Sequence, residues 1–585
     1  MLRSATKLAV LILLQLPAPA QLTTAQKLFD FQGLASLYAK RYAPASWKTQ
    51  ALGVNPLDIT PWMDRVRQAK TDIDFFEVMM EYTASFQDGH TTYVVPSNFM
   101  ADLGISVDLY DNKLLVETVN RSRYPQDAFP FGTGDELVSI DGRLAEDLIR
   151  DNLRFRREGT ERASRRFAAD WVVRRPQSVF PRAVELPDLS DVVIRRANGN
   201  LESYRMTWLK TGHPLVNVAP TPVPKGTPGA AIAPETSPEN LLTEFQNFGF
   251  SEYDTSRHTR ELFDENQNSV AHLFVAGLAA RPPYFDLPQG FVVRRGSAAA
   301  DNFHSGYYES GGRKIGYIRI PRFSPASPPV AVAEFAAEIQ FFQANTDGLV
   351  VDVTRNTGGG CISFDYLSYL IPYSFTTFRA ELLPTLEEIN SAEAGLRAAK
   401  QSNAESWIIE TYQNLYDVLT NAAATNRTLS APIPLACGSV TYPAPTETGV
   451  PARDSSGNML AYTKPMILLA DEMSASMGDI FAAMFQDNHR GPVVGVRTDG
   501  RGGGAAGFYL AGFYSEGLAS NTRALVVRKK VSSTPGLPAS PYIENIGVEP
   551  DIPLDFMTRE NLMQRGKPFV DKFTQIILAE IAKAP

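Results

Sequence analysis

Cysteine, histidine, long apolar runs and clustered positive charge are all scarce, and each shortage removes a class of function. The 585 residues contain two cysteines, Cys361 and Cys437. Two thiols permit one disulfide in an oxidising compartment, but their pairing is not readable from the sequence. No Cys/His cluster has metal-ligand spacing, so no metal and no cofactor is expected. Only six histidines occur, which leaves few candidates for imidazole chemistry. Beyond the N-terminus no apolar run is long enough to cross a bilayer, so no membrane span is expected. Lys and Arg number 56 against 64 Asp and Glu, a formal net charge of −8. That balance argues against nucleic acid as a partner, because phosphate binding needs clustered basic side chains. The glycine runs Gly358–Gly360 and Gly502–Gly504 are not followed by Lys-Ser/Thr, so neither reads as a phosphate loop.

What is present fits an exported globular protein. Hydrophobic content of 44% and charged content of 21% are ordinary for folded domains. Arg3 and Lys7 precede the apolar stretch Leu8–Leu14, and Ala18-Pro19-Ala20 supplies a small-residue cleavage pattern. Residues 1–20 therefore read as a signal peptide, and the mature chain is expected to be secreted or periplasmic.

The remaining chain divides by pattern. Residues 21–103 read as helical: Ala25–Tyr42, a helix opened by Thr60 as cap with Pro61 behind it, and Asp72–Phe86. In the last of these Phe75, Phe76, Met79, Met80 and Tyr82 form the apolar side, and Gly89 reads as the stop. Residues 104–212 turn to strands at Ile105–Leu109, Lys113–Val119, Glu136–Ile140, Asp191–Arg196 and Ser203–Leu209. An Arg-rich stretch, Arg154–Arg175, interrupts them as a helix with a solvated basic face. Residues 213–240 read as a Pro-rich linker; seven prolines fall within Thr211–Pro238. Residues 241–311 form a connecting region. From 312 to 585 strands and helices alternate, which predicts an α/β core with parallel strands, interrupted by a helical insertion at about 381–428.

One stretch carries the chemistry. Met466–Ala470 reads as a buried strand, followed by a polar turn and a helix whose first residues follow Ser476. A serine at such a junction projects its hydroxyl beside unpaired N–H groups and the positive end of the helix dipole, a place for an oxyanion. The same position is also the ordinary place of a serine N-cap, and the local pattern alone does not choose.

The surrounding residues resemble the tail-specific (C-terminal processing) serine peptidase superfamily. The carriers are Ser474-Ala475-Ser476-Met477-Gly478-Asp479-Ile480 with Gln486-Asp487, the run Gly348 to Gly360, and Ile546-Gly547-Val548-Glu549-Pro550-Asp551-Ile552. The resemblance implies a crotonase-like ββα catalytic core, with Ser476 as nucleophile. Gly134-Asp135-Glu136 through Asp141-Gly142 resembles a PDZ strand and turn, which implies a PDZ-like module able to pair with extended peptide.

One position departs from the bacterial processing enzymes. Where they carry a Gly-Lys-Gly base, this chain has Gly500-Arg501-Gly502. A guanidinium stays protonated in proteins and cannot act as a base, although it can bind a carboxylate of the substrate. Asp88-Gly89-His90-Thr91 resembles instead the tricorn-core and chlamydial protease-like branch, which uses Ser–His–Glu. The resemblance implies His90 as base and Glu544 as its orienting carboxylate, with Glu549 and Asp487 as rivals. It also implies N–H groups of Met477 and of Gly358 or Gly359 as oxyanion donors. The expectation is a secreted serine endopeptidase acting on polypeptide, with homo-oligomer formation left open. The alternative is a non-catalytic peptide- or hydrophobic-ligand-binding protein on the same fold, which Arg501 keeps in play.

Overall fold

Gly348–Asp352 and Met466–Ala470 are buried at every position, as strands covered on both faces must be. They form the middle of a seven-stranded sheet in the computed structural model, which describes residues 21–217, 277–434, 439–442 and 444–584. The order is Val292–Arg295, His304–Ser310, Arg313–Arg319, Gly348–Asp352, Met466–Ala470, Val493–Gly495 and Ile552–Pro553. The first three run antiparallel as a meander; from Arg313–Arg319 onward the pairs are parallel. Helices Pro328–Asn345 and Met477–Asp487 supply crossovers, packing Phe335, Ile339, Phe342 and Phe481 on one face. Helix Lys567–Lys583 covers the other with Phe569, Phe573 and Ile577. The α/β class is as the alternation implies. The insertion is a pair of helices, Leu386–Gln401 and Ser406–Ala424.

A second sheet is absent from the sequence reading. Its spine, Leu518–Ser532, pairs with Gly503–Leu510, Arg379–Leu382, Ser540–Tyr542 and the short strand Tyr93–Val94. The last pairing, Tyr93 opposite Ala519, fastens the end of the N-terminal region to the C-terminal half.

The N-terminal region is helical at Thr24–Arg41, Ala45–Leu52, Thr60–Gln68 and Asp72–Ala84. Capping boxes at Thr23/Gln26 and Thr71/Asp74 open the first and last by satisfying orphan N–H groups. Two details correct the expectation. Ile59 rather than Thr60 is the cap of the third helix. The fourth ends at Ala84, with Gln87 taking the left-handed turn at φ 51°. Gly89 is therefore not the helix stop. It is glycine for space: a Cβ there would overlap Glu158 Oε2 and Arg501 Nε.

The β-rich module orders its strands Ile105–Tyr110, Lys113–Val119, Glu136–Ile140, Leu189–Arg195 and Leu201–Thr207. Within the Arg-rich stretch only Glu161–Asp170 is helical, and Arg174–Pro176 is a strand. The solvated-face reading fails at Arg166, which is 2% exposed. Its guanidinium grips Asp108 at 2.6 Å and faces Glu472 at 3.2 Å, in the turn that leads to Ser476. Cys361 is disulfide-bonded. Cys437, the signal-like segment 1–20 and most of the Pro-rich and connecting stretches lie outside the described residues.

Candidate active site

Ser476 stands between the central strand and helix Met477–Asp487 with φ 56° and ψ −118°. Such angles are strained for a residue with a Cβ, and a nucleophilic serine at a sharp strand-to-helix turn is a known setting for them. Although Ser476 occupies the cap position, its hydroxyl makes no capping hydrogen bond. The turn is held from below instead. Ser474 Oγ donates to Val353 O at 2.8 Å, and Ala475 N to Asn356 O at 2.8 Å.

Asn356 also orders the facing glycine loop. Its Oδ1 accepts the Gly358 N–H at 2.8 Å, and its Nδ2 donates to Ile320 O at 2.9 Å. Gly358 and Gly359 have φ 102° and 133°, a region that L side chains rarely enter. A Cβ on Gly358 would lie 2.7 Å from Ser476 Cβ and 3.0 Å from Met477 N. The loop thus abuts the serine and the first helical N–H. Among the described residues the N–H groups of Met477 and Gly359 have no hydrogen-bond acceptor, whereas that of Gly358 is engaged by Asn356.

The His90 loop is docked on the C-terminal half. Ser520 Oγ donates to His90 O at 2.7 Å, and Thr522 Oγ1 to Asp88 Oδ2 at 2.7 Å. Asp88 accepts the His90 backbone N–H at 2.9 Å. The imidazole Nδ1 is buried without a partner, and among the described residues no hydrogen bond joins the ring to Ser476 Oγ. Burial, reinforced by the Arg501 guanidinium, pushes His90 down to about 3, against the opposing pull of Asp88 and Glu158.

Glu544 is fully buried and bonded to Lys48 Nζ, and it accepts the Gly502 N–H at 3.1 Å. Burial and the Asp88 charge push it up to about 8, with Lys48 pulling the other way. Of its rivals, Asp487 is paired with Arg528 at 2.6 Å, and Glu549 accepts from Thr534 Oγ1 at 2.8 Å. Arg501 is mostly buried, bonded to Glu158 and 3.0 Å from Asp499, while its own N–H lies 3.2 Å from Asp479 Oδ2. Lys48, Glu158, Asp499 and Asn356 are site residues that sequence reasoning missed. Lys48 lies in a short helix without a motif, and Glu158 is hidden among arginines.

A strained serine beside N–H groups unpaired among the described residues, on a mixed α/β sheet with a β-rich module docked against it, has the layout of a serine hydrolase. Residues 314–554 match the family model of peptidase family S41, and residues 99–215 that of a PDZ domain. The chain is a serine-type peptidase with an S41 domain and a PDZ domain. It is similar to a protein of Chlamydia trachomatis serovar D, 24% identical over 608 residues, covering 94% of this chain and 92% of that protein. An uncharacterized protein of Chlamydia muridarum is 24% identical over 606 residues, with 94% and 92% covered. Among solved structures, mature CPAF complexed with lactacystin has a TM-score of 0.71 at 21% identity, covering 96% of this chain and 99% of that one. Mature CPAF alone has a TM-score of 0.70 at 21% identity, covering 96% and 98%. At that identity the likeness speaks for the fold.

Proposed function

We propose that the protein is a secreted serine endopeptidase in which Ser476, His90 and Glu544 form the catalytic triad. The observation that carries this reading is the Ser476 hydroxyl, free of any capping bond at a strained junction, beside the unpartnered Met477 N–H. Ser476 Oγ attacks the peptide carbonyl, and the oxygen of the tetrahedral intermediate takes hydrogen bonds from Met477 and Gly359. His90 receives the serine proton and passes it to the leaving amine, and a water activated by His90 then hydrolyses the acyl-enzyme. Burial and the Arg501 guanidinium keep the imidazole neutral at neutral pH, the form in which a base must start. Hydrogen bonds of this kind tighten when substrate binds, so the ring and hydroxyl are expected to close on each other in the complex. Glu544 is the group assigned to fix the imidazole once substrate closes the site; in the free protein it is held by Lys48 and the Gly502 N–H, and among the described residues no hydrogen bond joins it to the ring.

A serine-directed fluorophosphonate tests the reading. Wild type is expected to label; Ser476→Ala is expected not to label, and His90→Ala to label slower by about three orders of magnitude. A mere twofold change in His90→Ala would remove it from the mechanism. Export is supported by the Arg3/Lys7, Leu8–Leu14 and Ala18-Pro19-Ala20 pattern. N-terminal sequencing of the exported protein is expected to begin at Gln21.

A further inference from the structure

Lys48 belongs to no motif, yet it is 0% exposed in the helix Ala45–Leu52. An ammonium taken out of water costs several kcal/mol unless its donors are matched. Its acceptors are the Glu544 carboxylate, Asn545 Oδ1 at 2.7 Å and the Gln87 carbonyl at 2.9 Å. Two of these belong to the Glu544 loop, and the third to the turn that leads into His90. Asn545 closes the same joint, its Nδ2 donating to Gln87 O and to Gly159 O, each at 2.9 Å. Trp47, next to Lys48, donates from its indole to Glu544 O at 3.0 Å. Gln87 and Asn545 both have positive φ, 51° and 62°. Non-glycine residues keep such angles where the surroundings over-determine them. Both turns are fastened to one ammonium.

We propose that Lys48 is a positioning residue: its ammonium locks the Glu544 carboxylate and the start of the His90 loop into one unit, keeping base and carboxylate in register for the reaction at Ser476. This rests on the triad reading above. It differs from a plain buried ion pair in one respect. A scaffold pair affects the whole fold, whereas a positioning residue acts on the reaction through Glu544, and its effect vanishes once Glu544 is disabled.

A double-mutant cycle on the full chain separates the two. Fluorophosphonate labelling rates are measured for Lys48→Met, Glu544→Gln and the double variant, with thermal unfolding followed in parallel. Lys48→Met is expected to slow labelling about 100-fold, and the double variant to label within about threefold of Glu544→Gln. The double variant leaves neither member of the Lys48–Glu544 pair without the other, so its comparison with Glu544→Gln decides the matter even where Lys48→Met alone does not fold. Lys48→Met labelling at the wild-type rate while Glu544→Gln is slow would overturn the positioning role alone. So would a double variant about tenfold slower than Glu544→Gln. Glu544→Gln labelling at the wild-type rate would instead overturn the triad reading itself.

Discussion

The Asp479 carboxylate accepts the backbone N–H of Arg501 at 3.2 Å, so the residue that stands in the lysine position hangs from the first turn of the Ser476 helix. The same carboxylate accepts the Gly500 N–H at 2.9 Å and the Thr498 hydroxyl. Burial pushes Asp479 up to about 6. Arg501 turns its guanidinium away to Glu158 and Asp499, and so links the serine helix to the module that carries Glu158.

Replacing Arg501 by methionine leaves buried Asp499 without its cation and Glu158 with Arg156 alone. The expected cost is about 3–5 kcal/mol, read from the urea midpoint at constant m-value. Arg501→Lys keeps a charge and is expected to lose less. Wild-type stability in Arg501→Met would show that the cluster does not hold the fold.

Gly358→Ala places a methyl group against Ser476 Cβ and Met477 N, where the oxyanion is expected to sit. Turnover of labelled casein is expected to fall by about 10²–10³, the size of losing an oxyanion donor. A fall of less than about threefold would move the oxyanion away from this glycine.

The pH dependence of stability has a definite sign at His90. Its affinity for a proton is lower in the folded state, about 3 against the ordinary 6.5, so the unfolded chain binds the proton first. Stability is therefore expected to fall as pH drops from 6.5 towards 3. Glu544 has the opposite sign: raised from 4.5 to about 8, it contributes stability that is lost as pH rises through that window. Urea midpoints across pH should show a flatter acid side in His90→Gln and a flatter alkaline side in Glu544→Gln. Unchanged slopes would mean that neither group is held as described.

Gly89→Ala is expected to reduce labelling about tenfold or more, because the new Cβ overlaps Glu158 and Arg501 and displaces the adjacent His90. Normal labelling would mean that the His90 loop yields freely.

Much of the fold is legible because periodicity is local. Lys113–Val119, Glu136–Ile140 and Met466–Ala470 form strands over the ranges that their apolar patterns indicate. The spine Leu518–Ser532 is not, because its pattern is broken by polar residues such as Asn521 and Thr522, which face the Arg41 carbonyl and Asp88. Within the site, Ser476 and the glycines are legible only through the family resemblance, because the strand–turn–helix pattern alone leaves a serine N-cap and a plain turn open. Lys48 and Glu158 are not legible, since each gains its meaning from partners hundreds of positions away: Glu544 for one, Arg501 for the other. Charge pairing across such distances leaves no spacing in the chain to read.

Arg166 reaches out of the β-rich module to Glu472, four residues before Ser476, and its neighbour Arg162 binds Glu472 at 2.9 Å and Asp555 at 2.7 Å. Cutting the chain to isolate residues 312–585 would strip a carboxylate beside the reactive turn of both its cations. The C-terminal half is thus unsuited to excision as an autonomous fragment: truncated versions should be insoluble through the unpaired Glu472, and inert in any case for want of His90, rather than for lost substrate contacts.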